Sequence, residues 1–379
     1  MTAGAFGVYV HFPYCTKRCP YCDFAVSVRR IIPHDRYASV VVAELEARTA
    51  EFPGRVASTV YFGGGTPGLW RPTALARVVD SIRAKYALRD DAEITVEVNP
   101  GEASGPHLEA LRAVGVNRLS IGAQSFDDRS LAVLGRTHDA AAARTAVTLA
   151  RAAGHDNVSV DLIFGLPQAS RAALDRELEA VLSLETEHVS LYQLTVEPRT
   201  AFAALVRDRV LVLPDDDVQA ELYERVRERL AQAGYFHHEI SSWARPGRHA
   251  RHNSLYWSQD EYLGVGASAA SLRLDGRAGE RSTNVRSTDA YLARPHIEAT
   301  ERLEADALER EALWLGLRLV AGLDRARYLA RWGHDPLESE RGVVLQRLAE
   351  GGLVQVGTTH VSLTPRGQLL ADRVGVELL

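Results

Sequence analysis

Apolar positions along the chain recur with two periods, and the alternation between them predicts the architecture. β-branched and aromatic runs at 6–12, 58–62, 93–98, 118–121, 158–163 and 188–191 read as strands. Between them, 37–50, 73–86, 106–114, 140–153 and 171–184 carry helical spacing; in the first of these, Tyr37, Val41 and Leu45 recur every four residues on one face. Strand and helix alternating in this way predict an α/β fold whose parallel sheet curls into a partial (β/α)6 TIM-like barrel. After a loop at 275–284 the pattern turns helical at 308–319, 326–331 and 343–350. A short hairpin follows at 353–356 and 360–363, and Thr364-Pro365 supplies the N-cap and first-turn proline of a last helix. The tail therefore reads as a small C-terminal winged-helix-like domain, and the chain divides into a core barrel at 1–200, an extension at 201–300 and the C-terminal unit at 301–379.

Ligands of such barrels collect at the C-terminal ends of the strands, and the polar residues gather there. Gly63-Gly64-Gly65-Thr66-Pro67 follows the second strand, where glycines let backbone approach a ligand and leave N–H groups to meet a carboxylate. Glu97-Val98-Asn99-Pro100 ends the third strand, Gly122 to Phe126 with Gln124 follows the fourth, and Asp161 to Pro167 spans the end of the fifth. A carboxylate or amide at each end suits hydrogen bonds to hydroxyl or ammonium groups.

The first strand end is the most specific. Tyr9-Val10-His11-Phe12-Pro13-Tyr14-Cys15-Thr16-Lys17-Arg18-Cys19-Pro20-Tyr21-Cys22-Asp23-Phe24 holds all three cysteines of the 379-residue chain. The C-x3-C-x2-C spacing lets one loop present three thiolates to three irons of a cubane and leave the fourth iron open. Buried structural cysteines would be scattered. Zinc needs a fourth ligand, for which only His11 stands close, and a disulfide framework fails on the odd count.

Composition narrows the class. Hydrophobic content of 46% and charged content of 25% are those of a soluble globular protein. No apolar run reaches the roughly 18 residues of a membrane span, although peripheral membrane contact is left open, and no export signal opens the sequence. A cytoplasmic location is expected. The net charge of −5, from 44 Lys plus Arg against 49 Asp plus Glu, gives no reason to expect nucleic acid. In the C-terminal unit, 10 Arg and no Lys face 12 acidic residues, so it reads as a cover or a partner-docking unit rather than a DNA-binding wing.

The cysteine loop resembles that of the radical S-adenosylmethionine (radical SAM) superfamily, in which the open iron is chelated by the amino and carboxylate groups of S-adenosylmethionine. Over nearly the full length the chain resembles the branch containing oxygen-independent coproporphyrinogen III oxidase and the HemW heme chaperones. The matching pieces are Tyr9 to Phe24, Gly63 to Pro67, Glu97 to Pro100, Asn117 to Gly122 with Gln124, Asp161 to Pro167, and His252-Asn253-Ser254-Leu255-Tyr256-Trp257. The resemblance implies that Cys15, Cys19 and Cys22 hold a 4Fe-4S cluster. It implies cofactor contacts from Tyr9, Gly64, Gly65, Thr66, Glu97, Gln124, Arg136 and Asp161, with Tyr21 against or near the adenine.

Two departures separate the relatives. The oxidase pattern adds a fourth cysteine where this chain has Phe24, and it carries a longer segment ahead of its cluster strand. The H-N-x-x-Y-W motif at His252 is that of the chaperones, and an imidazole can ligate heme iron. The resemblance thus implies a heme chaperone that delivers heme to acceptor proteins and takes electrons from a donor for its cluster, with His252 as candidate heme ligand. It fixes no oligomeric state. The alternative is the oxidase, an enzyme decarboxylating the propionates of coproporphyrinogen to give protoporphyrinogen IX. His249, His237 and His238 are rival ligands, the last standing where the family has Tyr. Gly264 to Ala269 reads as a close-packed turn rather than a dinucleotide fingerprint.

Overall fold

The computed structural model describes residues 5–379. The first strand, β1 (Phe6–Phe12), leads into the cysteine loop, whose ends are tied by the two-residue strands β2 (Tyr14–Cys15) and β3 (Ser27–Val28). Five βα steps follow: α1 (His34–Ala47), β4 (Thr59–Gly64), α2 (Pro72–Tyr86), β5 (Glu93–Val98), α3 (Gly105–Val114), β6 (Arg118–Gln124), α4 (Asp128–Val133), α5 (Ala140–Ala152), β7 (Val158–Phe164), α6 (Arg171–Leu182) and β8 (His188–Gln193). β1 and β4 to β8 are neighbours in chain order and all parallel, which is the expected six-stranded barrel wall left open as a sheet. Local chemistry sets the helix ends. Asp139 and Ser170 accept the first-turn N–H groups of α5 and α6, and α3 stops at Gly115, whose φ of 105° only glycine adopts without strain.

The region expected as an extension joins the same sheet. It runs α7 (Ala201–Arg207), α8 (Asp216–Gln232), β9 (Phe236–Glu239), β10 (Ser242–Ala244), α9 (Arg251–Trp257), β11 (Glu261–Val265), β12 (Ala270–Asp275), β13 (Ala278–Asn284), α10 (Thr288–Ala293) and β14 (Ile297–Leu303). The sheet has twelve strands in the order β14-β13-β12-β11-β1-β4-β5-β6-β7-β8-β10-β9. One expectation is corrected here. The loop foreseen at 275–284 is mostly strand β13, because the turn at Gly276 returns the chain as a hairpin on β12. The H-N-x-x-Y-W segment is helix α9, its first N–H groups held by the buried carboxylate of Glu93.

The tail adds α11 (Ala305–Arg318), β15 (Leu323–Asp324), α12 (Arg325–Trp332), α13 (Gly342–Glu350), β16 (Val354–Val356), β17 (His360–Leu363), α14 (Pro365–Leu369) and α15 (Ala371–Leu378). The first three of these five helices and the three-stranded sheet β15-β17-β16, in this order, have winged-helix topology. Its core, built on Leu308, Leu313, Leu317, Trp332 and Leu345, is separate from the barrel core. Main-chain bonds from Ile240 to Arg318 and from Val320 to His238 lay the tail along the free edge of β9. An exposed strand edge is thereby covered.

Candidate functional site

The cysteine loop is anchored from below. Gly65 N–H donates to the carbonyl of Phe12 and Thr66 N–H to that of Tyr14, both at 2.8–2.9 Å. A Cβ on Gly65 would stand 2.7 Å from the Tyr14 carbonyl oxygen and 2.8 Å from the Pro13 carbonyl carbon. Gly64, at φ 113°, leaves room for the His11 ring. The glycines therefore seat the loop, and their N–H groups are not free for a ligand as the sequence suggested. The N–H of Gly64 is taken by the Glu97 carboxylate at 3.1 Å.

Two side chains grip the thiols. Thr66 Oγ1 donates to Cys15 Sγ at 3.5 Å and itself accepts from Asn99 Nδ2. Arg136 Nη1 donates to Cys19 Sγ at 3.6 Å while Nη2 binds Asn99 and the Gly122 carbonyl. Burial pushes the Cys15 thiol up to about 11 and the Cys22 thiol up as well. No three His, Cys, Asp or Glu groups among the described residues converge on one point as ligands of a single ion would. The three thiols line one cavity of about 440 Å³ that runs from the loop into the barrel.

Deeper in, alternate positions of the strands line the wall, most of them polar: Arg118, Ser120 and Gln124 with Gly122 on β6, Asp161 with the apolar Ile163 on β7, Ser190 and Tyr192 on β8. Glu97 accepts from the Tyr61 hydroxyl at 2.8 Å. Burial, with the nearby Asp161 charge adding, raises its carboxyl to about 7. Burial raises Asp161 too, against hydrogen bonds from Ser190 and Ser120. The Nε atoms of Arg118 and Arg136 are buried without a partner. Three thiols, two acids with raised pKa and unspent guanidinium donors fit a group that is iron-bound at one end, cationic in the middle and hydroxyl-bearing beyond.

The structure thus gathers Cys15, Cys19, Cys22, Tyr21, Gly64, Gly65, Thr66, Glu97, Gln124, Arg136 and Asp161 around one cavity. Tyr9 is not among them, because its hydroxyl meets His11 Nδ1 at 3.0 Å behind Gly64, while His11 Nε2 donates to the Ala25 carbonyl. His252 is not there either. It is 0% exposed, with Nδ1 on Thr59 Oγ1 at 2.8 Å and Nε2 on the Tyr256 hydroxyl at 2.9 Å, and burial lowers its pKa to about 3. Both ring nitrogens are thus engaged by side chains of the core, away from the cluster cavity. Of that motif only Asn253 reaches the cavity, and Trp257 lies under the Arg318 guanidinium at the contact with the tail. His238 stacks on His249 at 4.4 Å and His237 on Trp243 at 4.4 Å; all three are held neutral by burial.

Residues 9–181 match the Radical SAM superfamily model and 303–370 the HemN C-terminal domain. The chain is 39% identical to the heme chaperone HemW of Mycobacterium tuberculosis over 100% of its own length and 96% of that protein. It is 35% identical to the HemW of Bacillus subtilis over 97% of each, and 36% identical to that of Escherichia coli over 86% of each. The chain belongs to the HemW family. The HemW fold is shared with E. coli coproporphyrinogen III oxidase (HemN), a radical SAM enzyme, at TM-score 0.82 and 26% identity over 99% of this chain and 90% of that one. Phe24, two positions after the last cysteine, is 66% exposed at the cavity mouth.

Glu97 gives the site a pH signature. Its folded pKa of about 7 lies above the ordinary 4.5, so the native state binds the extra proton between those values. Stability of the cofactor-free protein should fall as pH rises from about 4.5 to 7, and Glu97→Gln should flatten that slope in urea melts.

Proposed function

We propose that this protein binds heme and passes it to heme-accepting proteins, carrying a 4Fe-4S cluster on Cys15, Cys19 and Cys22 and S-adenosylmethionine in the strand-end cavity. The similarity to HemW heme chaperones over the whole chain carries this reading. The cavity supports the cofactor part. Glu97 and Asp161 suit the ammonium and the sulfonium, Gln124 and the serines suit hydroxyls, Arg136 steadies Cys19, and Tyr21 suits the adenine. Tyr9 acts on this site through His11. A cluster held by Cys15, Cys19 and Cys22 would supply an electron to the bound sulfonium, and a separate donor would reduce it.

No helix among the described residues is long and apolar enough to cross a membrane. We place the protein in the cytoplasm, where thiols stay reduced for cluster assembly. Incubating the heme-loaded protein with an apo-acceptor such as an apocytochrome and following the acceptor's spectrum tests delivery. Transfer faster than from free heme is expected; heme that stays bound in the presence of S-adenosylmethionine and a reductant contradicts the reading.

The second reading, a coproporphyrinogen oxidase, is favoured by the shared fold with HemN. It requires the same three cysteines and the same cavity, and differs in what enters it.

A further inference from the structure

The stretch that carries the cysteines has the opposite charge to the chain as a whole. From Cys15 to Arg36 there are five Lys and Arg against two Asp, in a protein of net charge −5. Lys17, Arg18 and Arg30 are exposed, and among the described residues none of them makes an ion pair or a side-chain hydrogen bond. Two further cations reach the loop from outside it. Arg286 donates to the Asp23 carbonyl at 3.2 Å, and the Arg199 guanidinium lies 3.9 Å from the Asp23 carboxylate. Asp23 is thereby covered. Glu197 also lines the cavity and leaves the local balance positive.

The same stretch turns apolar side chains outward. Phe24 is 66%, Val28 52% and Ile31 86% exposed, on the segment that closes the loop through β3. One exposed apolar side chain needs no explanation; three within eight residues, interleaved with unpaired cations, have the composition of a docking face. The face is also stiff. β2 pairs with β3 and the Ser27 N–H donates to the Pro13 carbonyl at 2.7 Å, so a partner has little chain to order when it binds. The three thiols belong to this loop and are each only half-buried, which puts a partner seated on it next to them.

We infer that the outer face of the cysteine loop is the docking surface of the electron donor, an acidic one-electron carrier protein. Its carboxylates meet Lys17, Arg18 and Arg30, and its apolar surface around the redox centre meets Phe24 and Ile31. The inference rests on the cluster reading above and deepens it by giving the partner's chemistry. The carrier gives up one electron, the cluster on Cys15, Cys19 and Cys22 accepts it, and no bond forms or breaks and no proton moves in that step. Opposite charges speed the encounter, and a small contact lets the oxidised carrier leave. An anionic lipid surface would match the cations but has no electron to give, and Asp23 within the face would meet it with like charge.

The test uses the full chain, reconstituted without oxygen, and two probes, an acidic flavodoxin and an acidic plant-type ferredoxin. Affinity for the oxidised carrier is measured by calorimetry, and cluster reduction by the reduced carrier is followed as bleaching of the visible absorption. Wild type should bind at least one of the two, more weakly as ionic strength rises from about 0.01 to about 0.15 M and the screening length falls from about 30 to about 8 Å. Arg18→Glu/Arg30→Glu should bind that carrier roughly tenfold more weakly and take its electrons correspondingly more slowly, with iron content and reduction by photoexcited deazaflavin at the wild-type level. Phe24→Ala/Ile31→Ala, which leaves every charge in place, should weaken binding and keep its salt dependence. These four side chains are exposed, so the fold should persist. Binding of neither carrier by the wild type, or equal binding and reduction rates in wild type and charge variant, overturns the docking surface and leaves the cluster reading standing. Substitutions that reduce sedimentation with phosphatidylserine vesicles but leave carrier binding unchanged also overturn it, in favour of a lipid-facing patch. Failure of the wild type to take up iron contradicts the cluster reading itself.

Discussion

Replacing any one of Cys15, Cys19 or Cys22 with Ser should drop iron after anaerobic reconstitution from about four atoms per chain toward zero, with loss of the cluster's visible absorption. The reason is geometric. One loop supplies every thiol in the molecule, so no other cysteine can substitute. The loop is also rigid on three sides: β2 and β3 tie its ends, Thr66 and Arg136 hold Cys15 and Cys19, and the Phe202 N–H holds the Pro20 carbonyl at 3.0 Å. A serine oxygen bonds iron poorly by comparison and leaves a corner of the cubane loose. Far-ultraviolet circular dichroism should be unchanged, because the thiols are only half-buried and pack no core. Variants that retain full iron would remove the cluster from the account.

His252→Ala should cost the fold about 2–4 kcal/mol in chemical denaturation, since Thr59 Oγ1 and the Tyr256 hydroxyl both lose their buried partner and a void opens between β1, β4 and α9. A variant as stable as the wild type would contradict this reading of the two bonds.

The placement of His252 shows where sequence reading succeeds and where it stops. The six strands of the barrel and most helix ends were legible because burial imposes a period on apolar residues and caps mark the termini. The cluster loop was legible because three cysteines at that spacing have few other uses. The orientation of the segment at His252 was not, since a short sequence motif carries no information on which way its helix faces; α9 turns His252 into the core and Asn253 toward the cavity. Arg118, Ser120, Ser190 and Tyr192 were passed over although their signal was present. Polar residues at alternate positions of otherwise apolar strands mark a wall that faces a ligand rather than a core.

The measurement closest to the central claim is made without oxygen on the reconstituted protein, with a reductant, S-adenosylmethionine, heme and coproporphyrinogen III present together. Heme uptake and porphyrin products are followed in the same sample. The account expects one heme bound per chain and no protoporphyrinogen IX. Steady conversion of coproporphyrinogen would contradict it and make this protein an oxidase despite Phe24.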